Sequence, residues 1–213
     1  MKLMIAIPTL DFVHVKFMEC LVKLIRYLDD DGVDFTVEIK SGTLVYHARE
    51  QLATKARMEF YTHILWLDSD MIFNEDVVDD LLFHEKPYVC GIFHARREPH
   101  LSCLFKSLTP IERWSCGEYP EELFEIAGSG MACTLMDVNV VRKVWERYGS
   151  CFMPTPALGE DLAFCERAAA CGIKMYADPS VRIGHIGHIV INAEDEEGWK
   201  AKVSGMERGL KWQ

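Results

Sequence analysis

Short runs of consecutive apolar residues alternate, in the first third of the chain, with segments whose apolar residues recur every three or four positions. The runs lie at 3–7 and 63–67, of which the second is the most apolar of the chain, and a further strand is expected at 35–39. Such runs, bounded by turn residues, are typical of parallel strands covered on both faces. Between them, 15–28 shows helical periodicity and 47–61 is rich in helix-forming residues. The pattern predicts a strand-helix-strand-helix-strand order.

The alternation continues after the third strand. Asn74 is expected to cap a helix over 75–83, and an apolar strand follows at 87–93. Residues 94–121 contain three prolines and show neither the periodicity of a helix nor that of a strand. They are predicted to form a long irregular excursion, and loops of that length in compact domains tend to be functional.

The second half of the chain predicts three strands and two helices. Asp137 is expected to cap the first helix, which stops at Gly149, and the second helix spans about 161–171. The strands are expected at 123–126, 131–136 and 174–177. Strands that alternate with helices predict a single three-layer α/β domain with a mostly parallel central sheet flanked by helices.

Composition narrows the class of protein. The 213 residues are 49% hydrophobic and 26% charged, as in an ordinary globular domain, and the formal net charge is −10. This acidic balance disfavours a broad nucleic-acid or anionic-membrane surface. The motifs GxGxxG, GxxxxGK[ST] and GxSxG are absent. The local signatures of dinucleotide dehydrogenases, P-loop NTPases and α/β-hydrolases are therefore missing.

The cysteines and the N-terminus bear on the compartment. Eight cysteines are scattered without a CxxC pair or zinc-finger spacing, so we expect reduced thiols that pack as small apolar side chains. The first apolar run is too short for a signal peptide or a membrane span. We therefore expect a cytoplasmic protein with no transmembrane segment.

Asp68 and Asp70 stand where the most apolar strand ends. Ligands of open α/β sheets bind beyond the carboxyl ends of the strands, and two aspartates one residue apart can share a hard divalent cation such as Mg²⁺ or Mn²⁺. Acidic residues that merely end a strand and begin a turn would show the same pattern. Both interpretations stay open on these residues alone.

Glu160 and Asp161 lie at the start of the helix over 161–171, after a loop that contains Pro154, Pro156 and Gly159. Carboxylates at a helix N-terminus are favoured by the helix dipole whatever their function. Their place after a loop of this composition adds a second hypothesis, in which they hold an acceptor or act as a base over a cleft.

Three further groups are candidates for binding. His185 and His188 follow the last strand in a glycine-rich loop, where a neutral imidazole could join the aspartates around a metal. Gly128-Ser129-Gly130 would let the backbone approach a ligand closely, although a plain turn needs the same residues. Three arginines could neutralise a diphosphate or be solvated surface charges: Arg49, Arg96 and Arg97.

Taken in order, these motifs resemble those of the GT-A glycosyltransferases, in particular small family-2-like members. The resemblance covers nearly the whole chain. Its motifs are IAIPTL (5–10), HARE (47–50), THILWLDSDMIF (62–73), AGSGMACTLM (127–136), GEDLAFCERAAACG (159–172) and RIGHIG (182–187). The resemblance implies the GT-A (Rossmann-like) version of the three-layer fold. It also implies a hexosyltransferase with a nucleotide-sugar donor, for which a UDP-sugar is expected.

The resemblance implies roles on the donor side. Pro8, Thr9 and Ser41 would line the base and ribose site. Arg49 would reach the nucleotide or its diphosphate. Further donor contacts are implied for Ser69 and for the donor-sugar wall Gly128-Ser129-Gly130.

The resemblance also implies a metal and a base. Asp70 and His185 would ligate Mn²⁺ or Mg²⁺, and Asp68 would face the ribose or the metal. Such an ion offsets the charge that develops on the leaving nucleoside diphosphate. Asp161 would remove the proton from the attacking hydroxyl of a glycan or another acceptor. Glu160 would orient the acceptor or the donor sugar.

The sequence departs from the family pattern at Glu50, where asparagine is common after the arginine. The chain is also compact for this superfamily, which assigns acceptor recognition to 94–121. His100, Trp114 and Tyr119 in that excursion could stack on a sugar, or Trp114 could simply pack. The division expected within the single domain is a nucleotide-binding half at 1–93, an acceptor-binding half at 94–192 and a tail at 193–213.

Two other functions stay open at this point. A haloacid-dehalogenase-like phosphatase would use Asp68 as the nucleophile of its DxD. That motif normally lies on the first strand, whereas two strands are expected before it here. A non-catalytic module that binds a nucleotide or a glycan would keep the fold without turnover.

Overall fold

The computed structural model describes residues 1–187, so the expectations for His188 and for the tail at 193–213 lie outside the described residues. Within that part of the chain the helices are α1 (Val15–Asp30), α2 (Val45–Met58), α3 (Val77–Leu82), α4 (Val138–Tyr148) and α5 (Glu160–Ala170). The strands are β1 (Lys2–Pro8), β2 (Asp34–Lys40), β3 (His63–Leu67), β4 (Met71–Ile72), β5 (Tyr88–Ile92), β6 (Leu104–Leu108), β7 (Ile111–Arg113), β8 (Phe124–Ile126), β9 (Gly128–Ser129), β10 (Cys133–Asp137), β11 (Met175–Arg182) and β12 (Gly184–His185).

Seven strands form the central sheet, in the order β2-β1-β3-β10-β5-β11-β8. Five of them run in one direction, while β10 and β8 run in the other, as the pairings along the sheet show. The predicted α/β fold with a mostly parallel sheet flanked by helices is confirmed. Strand β10 pairs with β3 on one side and β5 on the other, so it lies at the centre of the sheet.

The two faces of the sheet are covered by different helices, which makes the three layers. One face buries residues of α1 and α3, among them Phe17, Leu21 and Val77. The other buries residues of α2, α4 and α5, among them Leu52, Val141 and Phe164. The helical spacing at 15–28 is therefore the spacing of the α1 face that packs on the sheet. The eight cysteines are all free thiols within the described residues.

Two predictions about local structure are wrong. Asn74 does not cap α3, because the helix begins later, at Val77, with Asp76 at its N-cap position. Asn74 contributes only its backbone carbonyl, which accepts from the Val77 N–H. The 94–121 excursion is not irregular throughout, since it contains the hairpin of β6 and β7. Asp137 and Gly149 do cap α4 as predicted, and Gly149 takes the left-handed conformation with φ of 71°.

The hairpin of β6 and β7 is tied to the core by β9, which pairs antiparallel with β6. Here Gly128 is required by packing, since a Cβ at this position would lie 2.9 Å from the Cβ of Cys165. The close approach of β9 to α5 follows from the missing side chain. The first two residues of the glycine motif thus form a short strand rather than a turn.

A small second sheet joins β4 to β12, with Met71 opposite His185 and Ile72 opposite Gly184. These strands have two residues each, too few for a periodic pattern in the sequence. Their pairing brings the segment after Asp70 against the segment that carries His185. This sheet is what assembles the two ends of the predicted metal site.

Candidate functional site

The carboxyl ends of β1 and β3 open onto a cleft of about 800 Å³. Seven of the residues singled out in the sequence line it: Pro8, Thr9, Asp68, Ser69, Asp70, Arg96 and His185. Eight further lining residues were not expected from the sequence: Leu10, Asp11, Phe12, Val13, His14, Thr43, Val45 and Ile186. Most of these follow the carboxyl ends of β1 and β2, and that position was the available signal.

Loop 8–14 is fixed against Ser69. The Thr9 hydroxyl donates to the Phe12 carbonyl at 2.9 Å and lies 3.1 Å from the Ser69 hydroxyl, which in turn donates to Thr9. The His14 N–H donates to the Ser69 carbonyl. Because Ser69 separates the two aspartates, these bonds set the position of the loop relative to both carboxylates. The Phe12 side chain stays 88% exposed beside the cleft.

Asp70 is the meeting point of two basic side chains, those of Arg96 and His185. Its Oδ2 lies 3.3 Å from Nε2 of His185 and 2.5 Å from Nη1 of Arg96. The Ile186 N–H donates to the Asp70 carbonyl, which continues the β4–β12 pairing. Nδ1 of His185 lies 2.8 Å from the His94 carbonyl, so this nitrogen carries a proton and donates. The imidazole is therefore oriented with Nε2 toward the carboxylate.

Asp70 and His185 shift each other's pKa. Partial burial opposes ionisation of Asp70, but the hydrogen bond and charge of His185 and the charge of Arg96 outweigh it and lower the pKa of the carboxyl. The hydrogen bond to Asp70 conversely raises the pKa of His185, against the effect of burial. Asp70 is therefore ionised at neutral pH, as a metal ligand must be.

Asp68 makes a different contact. Its Oδ1 accepts a 2.7 Å hydrogen bond from Nη2 of Arg49, whose side chain is only 3% exposed. Nε of the same guanidinium lies 3.7 Å from Oε1 of Glu160. Burial opposes the charged form of Arg49, but Asp68, Glu160 and Asp161 outweigh it and raise its pKa. Arg49 does not line the cleft, and it contacts the donor-side motif through Asp68.

Asp161 lies in the first turn of α5, where its Oδ1 accepts from the Leu162 N–H at 2.8 Å. A Cβ on Gly130 would lie 3.5 Å from the Asp161 Oδ2, so the glycine motif and this carboxylate are neighbours. Burial, followed by the charge of Glu160, raises the pKa of Asp161 to about 6, with Arg49 opposing. A carboxyl with this pKa can accept a proton near neutral pH.

Glu50 has a structural task that the sequence did not reveal. Its carboxylate accepts hydrogen bonds from the N–H groups of Cys151 and Phe152, at 2.9 Å and 2.6 Å. These residues begin the segment that leads to Glu160 and Asp161. Glu50 therefore anchors the start of the segment that leads to the acidic pair, and its contact partners lie about a hundred residues away, beyond any local sequence signal.

Other predicted donor contacts lie away from the cleft. Ser41 is exposed just after β2, and Thr43 and Val45 line the cleft in its vicinity. Ser129 is fully buried, and its hydroxyl donates to the Gly130 carbonyl at 2.7 Å and lies 2.8 Å from the Tyr88 hydroxyl. Gly128 and Gly130 pack against α5 and Phe93 respectively. None of the four predicted contacts Ser41, Gly128, Ser129 and Gly130 is among the residues that line the cleft.

The aromatic residues of the excursion pack within the protein. The Trp114 ring lies 4.8 Å from the Phe124 ring, edge to face, and Tyr119 stacks on Phe124 at 6.2 Å. The Tyr119 hydroxyl also lies 3.2 Å from Nε2 of His94, whose carbonyl holds His185. Packing is therefore the main role visible for Trp114 and Tyr119, and Tyr119 connects the excursion to the Asp70 end of the cleft.

In the region 1–187, no group of three or more His, Cys, Asp or Glu side chains is arranged to hold a metal. Asp70 and His185 of the predicted set are in contact, while Asp68 pairs with Arg49. The ligand atoms at Asp70 fit Mn²⁺ or Mg²⁺, since a carboxylate oxygen and an imidazole nitrogen face each other there. The metal remains a prediction.

The longest helix of residues 1–187 is α1, and neither it nor the other described helices have the length and apolarity that a membrane span requires. No protein-family model and no curated protein sequence matches the chain.

Solved structures do match. The A197 protein from STIV has a TM-score of 0.55 with 18% identity, over 88% of this chain and 87% of that chain. The catalytic domain of Drosophila beta1,4-galactosyltransferase 7, in complex with xylobiose, has a TM-score of 0.52 with 13% identity, over 92% and 78%. A UDP-glucose pyrophosphorylase in complex with UDP-glucose has a TM-score of 0.51 with 9% identity, over 84% and 90%.

At these identities the likeness shows the fold. The chain has the GT-A-like, Rossmann-type architecture of a glycosyltransferase catalytic domain and of a UDP-glucose-binding pyrophosphorylase. That part of the resemblance drawn from the sequence motifs is confirmed. The roles of the residues and the reaction must be inferred from the site itself.

Proposed function

We propose that this protein is a metal-dependent glycosyltransferase that moves a hexose from a nucleotide-sugar donor, a UDP-sugar, to a hydroxyl of a glycan acceptor. One observation carries the proposal. The buried Arg49 contacts Asp68 of the DxD and lies beside Glu160 of the acidic pair, so both carboxylate motifs converge at one edge of the sheet. The phosphate end of a donor and an attacking hydroxyl need these two groups side by side.

The donor would occupy the cleft beyond β1 and β3. Pro8 and Thr9 line it together with Ser69, and loop 8–14 is fixed by its hydrogen bonds to Ser69. The exposed Phe12 ring offers an aromatic face to a nucleobase. In this proposal residues 1–93 supply most of the nucleotide site, and 94–192 supply the acidic pair and acceptor contacts.

Asp70 and His185 would hold the divalent cation, and Asp68 would face the ribose or the cation. The ion supplies Lewis-acid stabilisation of the leaving nucleoside diphosphate when it is bound. The His94 carbonyl fixes the His185 tautomer, which leaves Nε2 as the ligand nitrogen. Four carboxylates surround this edge of the sheet, so an anionic donor gains from added positive charge there.

Asp161 would act as the base. Its carboxylate takes the proton of the acceptor hydroxyl while the oxygen forms a bond to the anomeric carbon, and the bond from that carbon to the phosphate oxygen breaks. The pKa of about 6 leaves the carboxylate ionised at neutral pH yet basic enough to accept the proton. Glu160 would orient the acceptor or the donor sugar beside it.

The first experiment is thermal unfolding with UDP, GDP, CMP and ADP, each with and without Mn²⁺. A ligand that binds only the folded chain at a hundred times its Kd adds about 2.7 kcal/mol of stability. We expect a rise in Tm that requires both UDP and Mn²⁺. No shift with any pair would overturn the proposed donor class.

Variants then separate the roles. Asp70→Ala should abolish the Mn²⁺-dependent shift, whereas Asp30→Ala at the end of α1 should retain it. Asp161→Ala should keep donor binding and lose sugar transfer. Transfer at the normal rate by Asp161→Ala would remove it as the base. A covalent aspartyl-phosphate at Asp68 would instead support the phosphatase, and donor binding without transfer or donor hydrolysis would support a binding module.

A further inference from the structure

Arg96 is the one guanidinium that lines the cleft in the described structure. Its backbone belongs to a turn that is held in place: the Ala95 N–H donates to the Leu101 carbonyl at 2.8 Å, and His94 bridges to Ser102. The turn also packs on the His185 segment, since a Cβ on Gly187 would lie 3.3 Å from the Arg96 carbonyl. The base of the side chain is therefore fixed beside the cleft.

The end of the Arg96 side chain is placed differently. The side chain is 48% exposed, against 3% for Arg49, and its guanidinium contacts Oδ2 of Asp70. An ion pair with so exposed a cation contributes little net stability, because the guanidinium is well solvated when it leaves its partner. Arg96 can thus leave Asp70 at small cost, whereas Arg49 cannot leave Asp68.

Arg96 and His185 lie near the same oxygen of Asp70, the residue predicted to bind the metal. Oδ2 of Asp70 is 2.5 Å from Arg96 and 3.3 Å from Nε2 of His185. A divalent cation between Asp70 and His185 would need the electron pairs that face these two groups. It would also repel a guanidinium at the same oxygen, since like charges a few ångströms apart oppose each other strongly.

We propose that Arg96 is a two-position cation, which pairs with Asp70 when the cleft is empty and moves to the donor diphosphate when a divalent cation binds beside Asp70 and His185. This inference rests on the proposed function. A guanidinium released inside the cleft meets phosphate oxygens with matching planar geometry. The move keeps Arg96 paired with an anion in both states.

Two binding measurements test the move, and neither requires catalysis. The first is Mn²⁺ affinity without nucleotide, from the free-Mn²⁺ signal in electron paramagnetic resonance. The second is UDP affinity at saturating Mn²⁺, by calorimetry. In Arg96→Ala the competing cation is gone, so Mn²⁺ should bind more tightly, by roughly twofold to fivefold. UDP should bind roughly tenfold or more weakly because a charge-assisted contact is lost.

Opposite changes in one variant distinguish a moving cation from a structural one. The matched control is Arg97→Ala, since Arg97 is the adjacent exposed arginine and does not line the cleft; both affinities should stay as in the unmodified chain. The UDP affinity of Arg96→Lys should lie between those of the unmodified chain and Arg96→Ala. UMP, with one phosphate, should lose less affinity than UDP on Arg96→Ala.

The outcomes separate this proposal from the proposed function. If the unmodified chain binds Mn²⁺ and UDP while Arg96→Ala leaves both affinities unchanged, Arg96 has no role in either state. If Arg96→Ala weakens both, Arg96 belongs to the metal site and does not compete with it. Either result overturns the proposal alone. If the unmodified chain binds neither Mn²⁺ nor UDP, the proposed function falls and this proposal falls with it.

Discussion

Arg49 and Asp68 form an ion pair between α2 and the end of β3, with 2.7 Å between Nη2 and Oδ1, in which the guanidinium is buried and the Asp68 side chain is 30% exposed. Two other nitrogens of the same guanidinium, Nε and Nη1, are buried without a hydrogen-bond partner in the described structure. The charge is compatible with this interior position because Asp68, Glu160 and Asp161 surround it. The guanidinium therefore depends on these carboxylates, since a buried cation without a counter-charge is costly.

We therefore expect Arg49→Met to destabilise the fold by roughly 1–3 kcal/mol, since a charge-assisted hydrogen bond is lost and the carboxylates lose the cation between them. Urea unfolding monitored by circular dichroism would measure the loss. Lys55→Met is the control, because Lys55 lies on the same helix and also pairs with a carboxylate, but its side chain is 38% exposed, against 3% for Arg49. Equal midpoints for Arg49→Met and the unmodified chain would contradict the interpretation of Arg49 as a structural charge.

Asp161→Asn should stabilise the protein at neutral pH and remove catalysis. The pKa is raised from its ordinary value of 3.8 to about 6, so folding favours the neutral carboxyl. Stability from this group is present below pH 4 and is lost as the pH rises through 6. The asparagine variant lacks that loss, and its advantage should be on the order of 1–3 kcal/mol at pH 8 and vanish near pH 4.

Thermal unfolding of Asp161→Asn across that pH range checks the sign, with Asp30→Asn as the exposed control. In the unmodified chain, transfer activity should rise with pH around 6 as Asp161 loses its proton. A stability advantage that grows toward low pH would show that the burial argument has the wrong sign.

Glu50→Ala should loosen the segment that leads into α5. Two backbone N–H groups, of Cys151 and Phe152, would lose their acceptor, at a cost of about 1–3 kcal/mol. Hydrogen exchange should accelerate at these two amides before it does so in β3 or β10. Glu166→Ala, at an exposed position of α5, provides the comparison. Unchanged protection at 151 and 152 would argue against an anchoring role for Glu50.

Gly128→Ala should destabilise the packing of β9 on α5. The added Cβ would lie 2.9 Å from the Cβ of Cys165, so one backbone must shift, at about 1–3 kcal/mol. Gly159→Ala is the matched change, because its added Cβ meets only Asp161 at 3.5 Å, an ordinary contact. Differential scanning calorimetry should rank Gly128→Ala well below Gly159→Ala in Tm. The reverse order would mean that the β9–α5 contact can relax.

The strands of the central sheet and helix α1 could be predicted from the sequence because their patterns are local. Strand β3 at His63–Leu67 coincides with the predicted run, and the cap residues Asp137 and Gly149 of α4 were readable from their types and spacing. The β6–β7 hairpin was missed because three prolines mask a pattern of only five and three strand residues. Asn74 misled because a good capping residue also occurs in the turn before a helix.

The sequence identified several residues of the candidate site, but it did not show which residues contact one another. Asp68, Asp70 and His185 could be named because strand ends in α/β sheets gather ligands. The partner of each could not, since Arg49 meets Asp68 and Glu50 meets residues 151–152 only through the tertiary fold. Ser41 and Ser129 were placed by family position, and the direction of their side chains depends on neighbours far along the chain.

The central position of β10 has a consequence for the nascent protein. Strands β3 and β5 belong to the first 93 residues, yet the strand between them is Cys133–Asp137. During synthesis the first half therefore carries two unpaired apolar edges until residue 137 has left the ribosome. Such edges are the usual starting points of aggregation and of wrong strand exchange. Truncation near residue 93 would leave that state permanent, so residues 1–93 should be insoluble when expressed alone.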